Sequence, residues 1–394
     1  MTRLSKFRFL FIVLFFISSL AFLNAESISD QDFKFSLDIP EGFQIDSYTE
    51  DGMSYMFSHP NIPVNLILRI YDKQNLNDAA QVLKNTLNKL SAKYDIDSFN
   101  WSKKTCAISS FSMHLDQDYS GWALCAPSLI DGAYLNLMCY APVEKAEACQ
   151  QFIMSTLNGL CINPDYYYIP GIITSYAFPS EGKSQANVKI NNQNILFQFD
   201  KVDLEASNFV IELEYSVLKL YAKHAMWKEA WQRYYKMIYR DSCGRLSDFS
   251  EKAFQTLYPQ AQLSNSSNPD ITYAQYLLSW VQTFEYQRAD NNNDSDFTSP
   301  VATILGQGND CDSRSMLLSI MLNSIGLESI MLISRDYSHA VAATEIKAPG
   351  QTYTLDENQK EYIFGETTAK VTWGMIAQDH SDRSKWIPVT FFQK

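Results

Sequence analysis

The sequence is short of positive charge. It carries 32 Lys and Arg against 44 Asp and Glu, and five histidines. Without Arg3, Lys6 and Arg8, which lie in a leader-like first segment, the 32 basic residues fall to 29 against 44 acidic ones, a net charge of −15. A chain of this balance lacks the basic footprint of a nucleic-acid binder and gives no general reason to sit on anionic lipid. No CxxC pair occurs among the seven cysteines, which argues against a zinc site built on thiolates. The alternating Asp290, Asn292, Asp294 and Asp296 suggest a calcium loop. Its sixth position is Ser295 instead of Gly and its twelfth is Val301 instead of Glu, so an EF-hand is excluded and a solvated loop is expected. Beyond the first 23 residues no run is long and apolar enough to span a membrane.

That first segment has Arg3, Lys6 and Arg8 ahead of an apolar run from Phe9 to Leu23, with Ala25 at a small-residue cleavage point. It predicts a secretory signal peptide over residues 1–25, a periplasmic or secreted protein, and no stable membrane insertion once the signal is cleaved. Export permits disulfides among Cys106, Cys125, Cys139, Cys149 and Cys161; the same residues serve equally as small buried apolar groups.

The remaining chain predicts an α+β protein. Residues 26–163 alternate as strands near 33–39, 66–70, 105–113, 121–127 and 133–141. Leu83, Leu87 and Leu90 mark a helix over 78–93, and 143–157 a closing one. An antiparallel sheet backed by helices fits, in an order that resembles the PsbP-like fold. His59 and His114 stand alone and are expected to be structural. Residues 164–202 read as a connector: extended chain at Tyr166–Tyr168, then a hairpin around Asn191–Asn194. From Asp203 to Tyr239 the pattern is helical, free to bend or divide, and ends at Asp241–Gly244. Trp227, Trp231, Tyr234 and Tyr235 form an aromatic stripe suited to a core. A short helix near 247–256, a polar linker and a helix from Tyr273 to Phe284 follow.

The most informative stretch is Gly308-Asn309-Asp310-Cys311-Asp312, a tight polar turn running into the apolar helix Met316–Leu322. Asn309 or Asp310 can cap that helix and Gly326 can end it. Cys311 therefore falls at the helix N-terminus, where backbone N–H groups and the dipole favour a thiolate. Strands at 328–334, 339–343 and 361–368 then carry His339 at one start and Glu366 at one end. A thiol, an imidazole to take its proton and a carboxylate to orient the imidazole make a nucleophilic set.

These motifs, with the lead-in Phe297–Leu305, resemble the transglutaminase-like superfamily, in the style of its bacterial cysteine peptidases, over roughly residues 270–390. The resemblance implies a papain-like α+β domain with Cys311 as nucleophile, His339 as general base and acid, and Glu366 as orienting residue. Asp356 is a weaker orienting candidate. Asn309 stands where the family has Gly. The oxyanion would meet the Cys311 N–H, with Gln307 a second candidate donor. No cofactor is required, although the acids flanking the cysteine bind calcium in parts of the family. Otherwise Asp310 caps the helix and Asp312 pairs with Arg314 or Arg335. The implied activity is cleavage or transfer of amide bonds in a protein or peptide substrate, hydrolysis favoured. The alternative is an inactive exported binding protein that uses this fold as a scaffold.

Overall fold

A computed structural model describes residues 27–72, 78–264, 268–287 and 295–392. The expected leader lies outside them, as does Asp290–Asp294 of the polar loop. The chain is α+β, with antiparallel sheets in both halves. No described helix is long and apolar enough to cross a membrane.

In the first half, seven strands pair antiparallel. Their spatial order is Gln44–Tyr48, Ser54–Ser58, Asn65–Tyr71, Tyr134–Pro142, Asp118–Pro127, Lys104–His114 and Lys93–Trp101. The two-residue period of a strand sends Leu66, Leu68 and Ile70 to one face and Ile67 to the other. Each face is covered by a helix. Ala79–Lys89 buries Val82, Leu83 and Leu87 on one side, and Gln150–Asn158 buries Phe152, Ile153 and Leu157 on the other. Both isolated histidines are structural: buried His59 bonds the Glu41 carbonyl at 2.9 Å, and exposed His114 pairs with Asp118. All seven cysteines are free thiols, so the apolar-packing role holds and no disulfide forms.

The connector corrects one expectation. Tyr166–Tyr168 is not extended: Pro164 and the Asn163 side chain, which accepts from the Tyr166 N–H at 2.9 Å, start a tight 3-10 turn over Pro164–Tyr168. The hairpin Lys183–Ile190/Gln193–Asp200 turns on two residues only. Asn191 and Asn192 both take positive φ, as a type I′ turn requires. The helical run divides into Asp203–Leu220 and Trp227–Arg245. It ends at Arg245, one residue past the expected Asp241–Gly244 stretch, and Gly244 serves packing: a Cβ there would lie 3.0–3.1 Å from Pro170, Ile169 and the Tyr168 carbonyl. The next helix, Ser247–Leu263, is longer than expected.

In the second half five antiparallel strands lie in the order Thr352–Thr354, Glu361–Gly365, His339–Thr344, Ser329–Ser334 and Ile387–Val389. The helix Cys311–Asn323 packs Met316, Leu317 and Ile320 on the face that carries Met331, Ile333, Ala340 and Ala342. The opposite face, with Ile330, Leu332, Val341 and Ala343, is covered by Trp386. This sandwich fixes the helix N-terminus against the start of one strand and the end of another.

Candidate functional site

Asp310 has extended backbone and caps the helix, its Oδ1 accepting from the Ser313 N–H at 3.3 Å and the Ser313 hydroxyl at 2.9 Å. The lead-in is tied to the same turn: Thr298 takes a bond from its N–H to Ser313 Oγ and donates its hydroxyl to the Gly308 carbonyl. Asn309 has a structural role of its own in the turn. It is buried, its Oδ1 accepts from Arg314 Nε at 2.6 Å, and its amide donates to the Gln307 carbonyl. Arg314, fully inside the protein, also reaches the Thr367 and Phe284 carbonyls. One guanidinium thereby joins the cysteine turn, the helix and the Glu366 strand end.

The structure places His339 and Glu366 in direct contact, Nε2 to Oε2 at 2.8 Å. The other Glu366 oxygen accepts from the Thr368 N–H (2.7 Å) and hydroxyl (2.6 Å), and the Glu366 carbonyl accepts from Gln282. Burial pushes the Glu366 carboxyl up, but the His339 and Thr368 hydrogen bonds and the His339 charge outweigh it and bring it down to about 2. An ionised carboxylate can only accept, so His339 Nε2 carries the proton and Nδ1 is the nitrogen left to exchange one. Asp356 is exposed on a turn and takes no part.

Cys311 meets the chain neighbours of both partners, Ala340 and Thr367, and its sulfur bonds Asp312 instead of His339. Its carbonyl accepts from the Thr367 hydroxyl at 3.5 Å, and the Ala340 N–H is directed at its sulfur. At rest the thiol donates to Asp312 Oδ1 at 3.4 Å, and the other Asp312 oxygen accepts from the buried Tyr235 hydroxyl at 2.6 Å. Asp312 therefore pairs with neither Arg314 nor Arg335. The expectation of a helix-stabilised thiolate is also corrected. Burial first, then the charges of Asp312 and Asp310, hold the thiol far above its usual range, and the Ala340 N–H offsets only part of this. Asp310 is itself pushed up to about 8, by burial and then by Asp312. Gln307 is exposed and its N–H is already given to the Ala302 carbonyl. The Cys311 N–H belongs to the first turn, whose amides have no carbonyl within the helix to bond.

Three contributors escaped the sequence pattern. Tyr235 belongs to the aromatic stripe but reaches the site through its hydroxyl. Trp386 and His380 stack near His339, with ring centroids 6.3 and 5.3 Å away, and the Trp386 indole N–H donates to the His380 carbonyl. No periodic signal marks the irregular segment that carries them. Two cavities, of about 900 Å³ beside Tyr239 and Asn323 and about 610 Å³ beside Asp38 and Arg240, lie away from Cys311, His339 and Glu366.

The class defined so far is an α+β protein with a thiol beside an imidazole–carboxylate pair. No family model and no curated protein matches the chain. Among solved structures it is similar to cyanobacterial PsbP from Synechocystis sp. PCC 6803, at 12% identity and TM-score 0.31, over 37% of this chain and 96% of that one. It is also similar to the Saccharomyces cerevisiae Ran-binding protein Mog1p, at 10% identity and TM-score 0.27, over 35% and 95%. A third is a Bacteroides thetaiotaomicron protein, at 10% identity and TM-score 0.21, over 57% and 79%. Likeness at these scores carries no argument.

Proposed function

We propose that this protein is an exported thiol enzyme that opens amide bonds in proteins or peptides. The observation that carries the reading is the 2.8 Å His339–Glu366 pair beside a cysteine at a helix N-terminus. The resemblance to transglutaminase-like cysteine peptidases supports the assignment of roles. On substrate entry the Cys311 side chain turns from Asp312 toward His339 Nδ1, which takes its proton. The sulfur adds to the amide carbonyl carbon, and the oxyanion meets the Cys311 N–H. Collapse expels the amine, which leaves with the proton from His339. Water, deprotonated by His339, then attacks the thioester, releasing the acid and restoring the thiol. An amine in place of water would give transfer. Calcium has no part in these steps: Asp310 and Asp312 give oxygens to Ser313, Tyr235 and the thiol, a poor fit to an ion that takes six to eight oxygen ligands. The acidic chain is not a nucleic-acid binder, and its leader-like first segment supports a periplasmic or secreted location.

The test is digestion of a peptide mixture read by mass spectrometry, with and without a labelled amine, for wild type and Cys311→Ser. New termini that vanish in Cys311→Ser support a hydrolase; labelled products point to transfer. A second reading, a binding protein on an inactive scaffold, is favoured by the buried thiol whose hydrogen is given to Asp312. Absence of both products with intact folding would favour it.

A further inference from the structure

His380 lies in the 3-10 turn Gln378–His380, in the irregular segment that follows Glu366. One ligand atom each from His339, Glu366 and His380 lie within 4.8 Å of one another, and among the described residues this is the group of three that could hold a metal ion. Two imidazoles and a carboxylate are a donor set that zinc-class ions take, at about 2.0–2.2 Å from each ligand. Ligands at that distance around a tetrahedral ion stand roughly 3.3–3.6 Å apart, so the cluster needs to close by about an ångström. The surroundings are those of a built site. Thr368 fixes one Glu366 oxygen and leaves the other facing the imidazoles. Trp386 holds the His380 backbone, and the Tyr337 ring packs on the His380 ring at 4.7 Å. Such outer contacts orient metal ligands. His380 Nδ1 is buried and has no hydrogen-bond partner among the described atoms. A buried ring nitrogen left unpaired is costly, and a cation would satisfy it.

We propose that His339, Glu366 and His380 form a site for one divalent ion of the zinc class, and that the ion switches off the thiol chemistry. The second half rests on the function proposed above: an ion bound to His339 and Glu366 breaks the pair that readies the imidazole for Cys311. Histidine nitrogen favours zinc, copper or nickel over calcium and magnesium, which prefer oxygen.

The whole chain, stripped of metal, is titrated with zinc against a chromophoric chelator. One ion per chain is expected in wild type and in Cys311→Ser. Affinity should fall at least about tenfold in His380→Ala and His380→Gln, since losing even an outer contact of a zinc site lowers it about 10–100-fold. The two variants separate loss of a ligand from loss of folding, which circular dichroism monitors. Iodoacetamide labelling of Cys311 should slow at least tenfold with zinc in wild type, and the ratio of rates with and without zinc should approach one in His380→Gln. Wild-type zinc affinity in His380→Gln overturns the site, as does loss of binding in Cys311→Ser, which would put the ion on the thiol. The titration in Cys311→Ser decides the metal site even if the thiol chemistry fails its own test.

Discussion

Cys311 is held as a thiol first by burial and then by the neighbouring acids, Asp312 above all, and this sets how the site would work. It is not a standing thiolate; its proton leaves only when His339 is in position to take it. Asp312 is both the hydrogen-bond acceptor and the nearer charge. Replacing Asp312 with Asn should lower the thiol pKa by about one unit, a tenfold change worth roughly 1.4 kcal/mol. Iodoacetamide labelling of Cys311 near pH 7 should then speed up about tenfold; an unchanged rate would remove Asp312 from the account. Asn309 makes a second residue-level claim. Asn309→Gly deprives the buried Arg314 of an acceptor, and hydrogen bonds to charged groups are worth about 1.5–3 kcal/mol. Urea denaturation should show a loss of that size. The sequence placed Cys311, His339 and Glu366 because each sits in a local pattern at a helix start or strand end. Tyr235 and His380 were hidden, since their roles come from contacts with residues far along the chain. The direction of the thiol shift depends on burial, which a helix-end argument omits.

Among the elements, the strand Glu361–Gly365 does most to aim the site. Gly365 has no side chain because the Trp373 ring lies where a Cβ would be, at 2.4 Å. That packing seats Glu366 beside His339. Glu366→Gln leaves the shape but removes the charge that stabilises the imidazolium, and turnover should fall about a hundredfold or more, in line with the general-base contribution. The linked stability has a definite sign. A carboxyl lowered from 4.5 to about 2 stabilises the fold above pH 4.5, and that contribution is lost as pH falls through 2. Strand and helix positions with strong periodicity were legible. The turn at Tyr166 was not, because it depends on a side-chain cap from Asn163.

At the scale of the molecule, the helices Asp203–Leu220 and Trp227–Arg245 carry residues of both cores. Val217, Tyr221 and Ala230 pack with the first sheet; Val210, Tyr234 and Ile238 pack with the second. Where they meet the helix Gln150–Asn158 they hold a buried ion pair, Arg233–Glu214 at 2.7 Å, with Ser155 bonded to both carboxylate oxygens. Nearby Glu41 is wholly buried with neither carboxylate oxygen partnered, and burial, only partly opposed by Arg233, pushes it up to about 7. A raised carboxyl stabilises the fold below pH 4.5 and loses that contribution as pH rises through 7, about 3 kcal/mol in all. Denaturation between pH 5 and 8 should show stability falling with pH, and Glu41→Gln should flatten that slope. Asp310, raised further, from 3.8 to about 8, adds a slope of the same sign across that whole window, which the variant keeps, so Glu41→Gln removes only part of the fall. An unchanged slope in Glu41→Gln would contradict the assignment.

The central claim is that Cys311 and His339 act together. Labelling all seven cysteines with iodoacetamide near pH 7, read by peptide mass spectrometry in wild type and His339→Ala, tests it most directly. The account predicts that Cys311 labels through the proton taken by His339, so that its rate falls at least tenfold without the imidazole while the six other thiols keep theirs. A Cys311 that labels at the same rate in His339→Ala would contradict the account and leave the fold as a scaffold for binding.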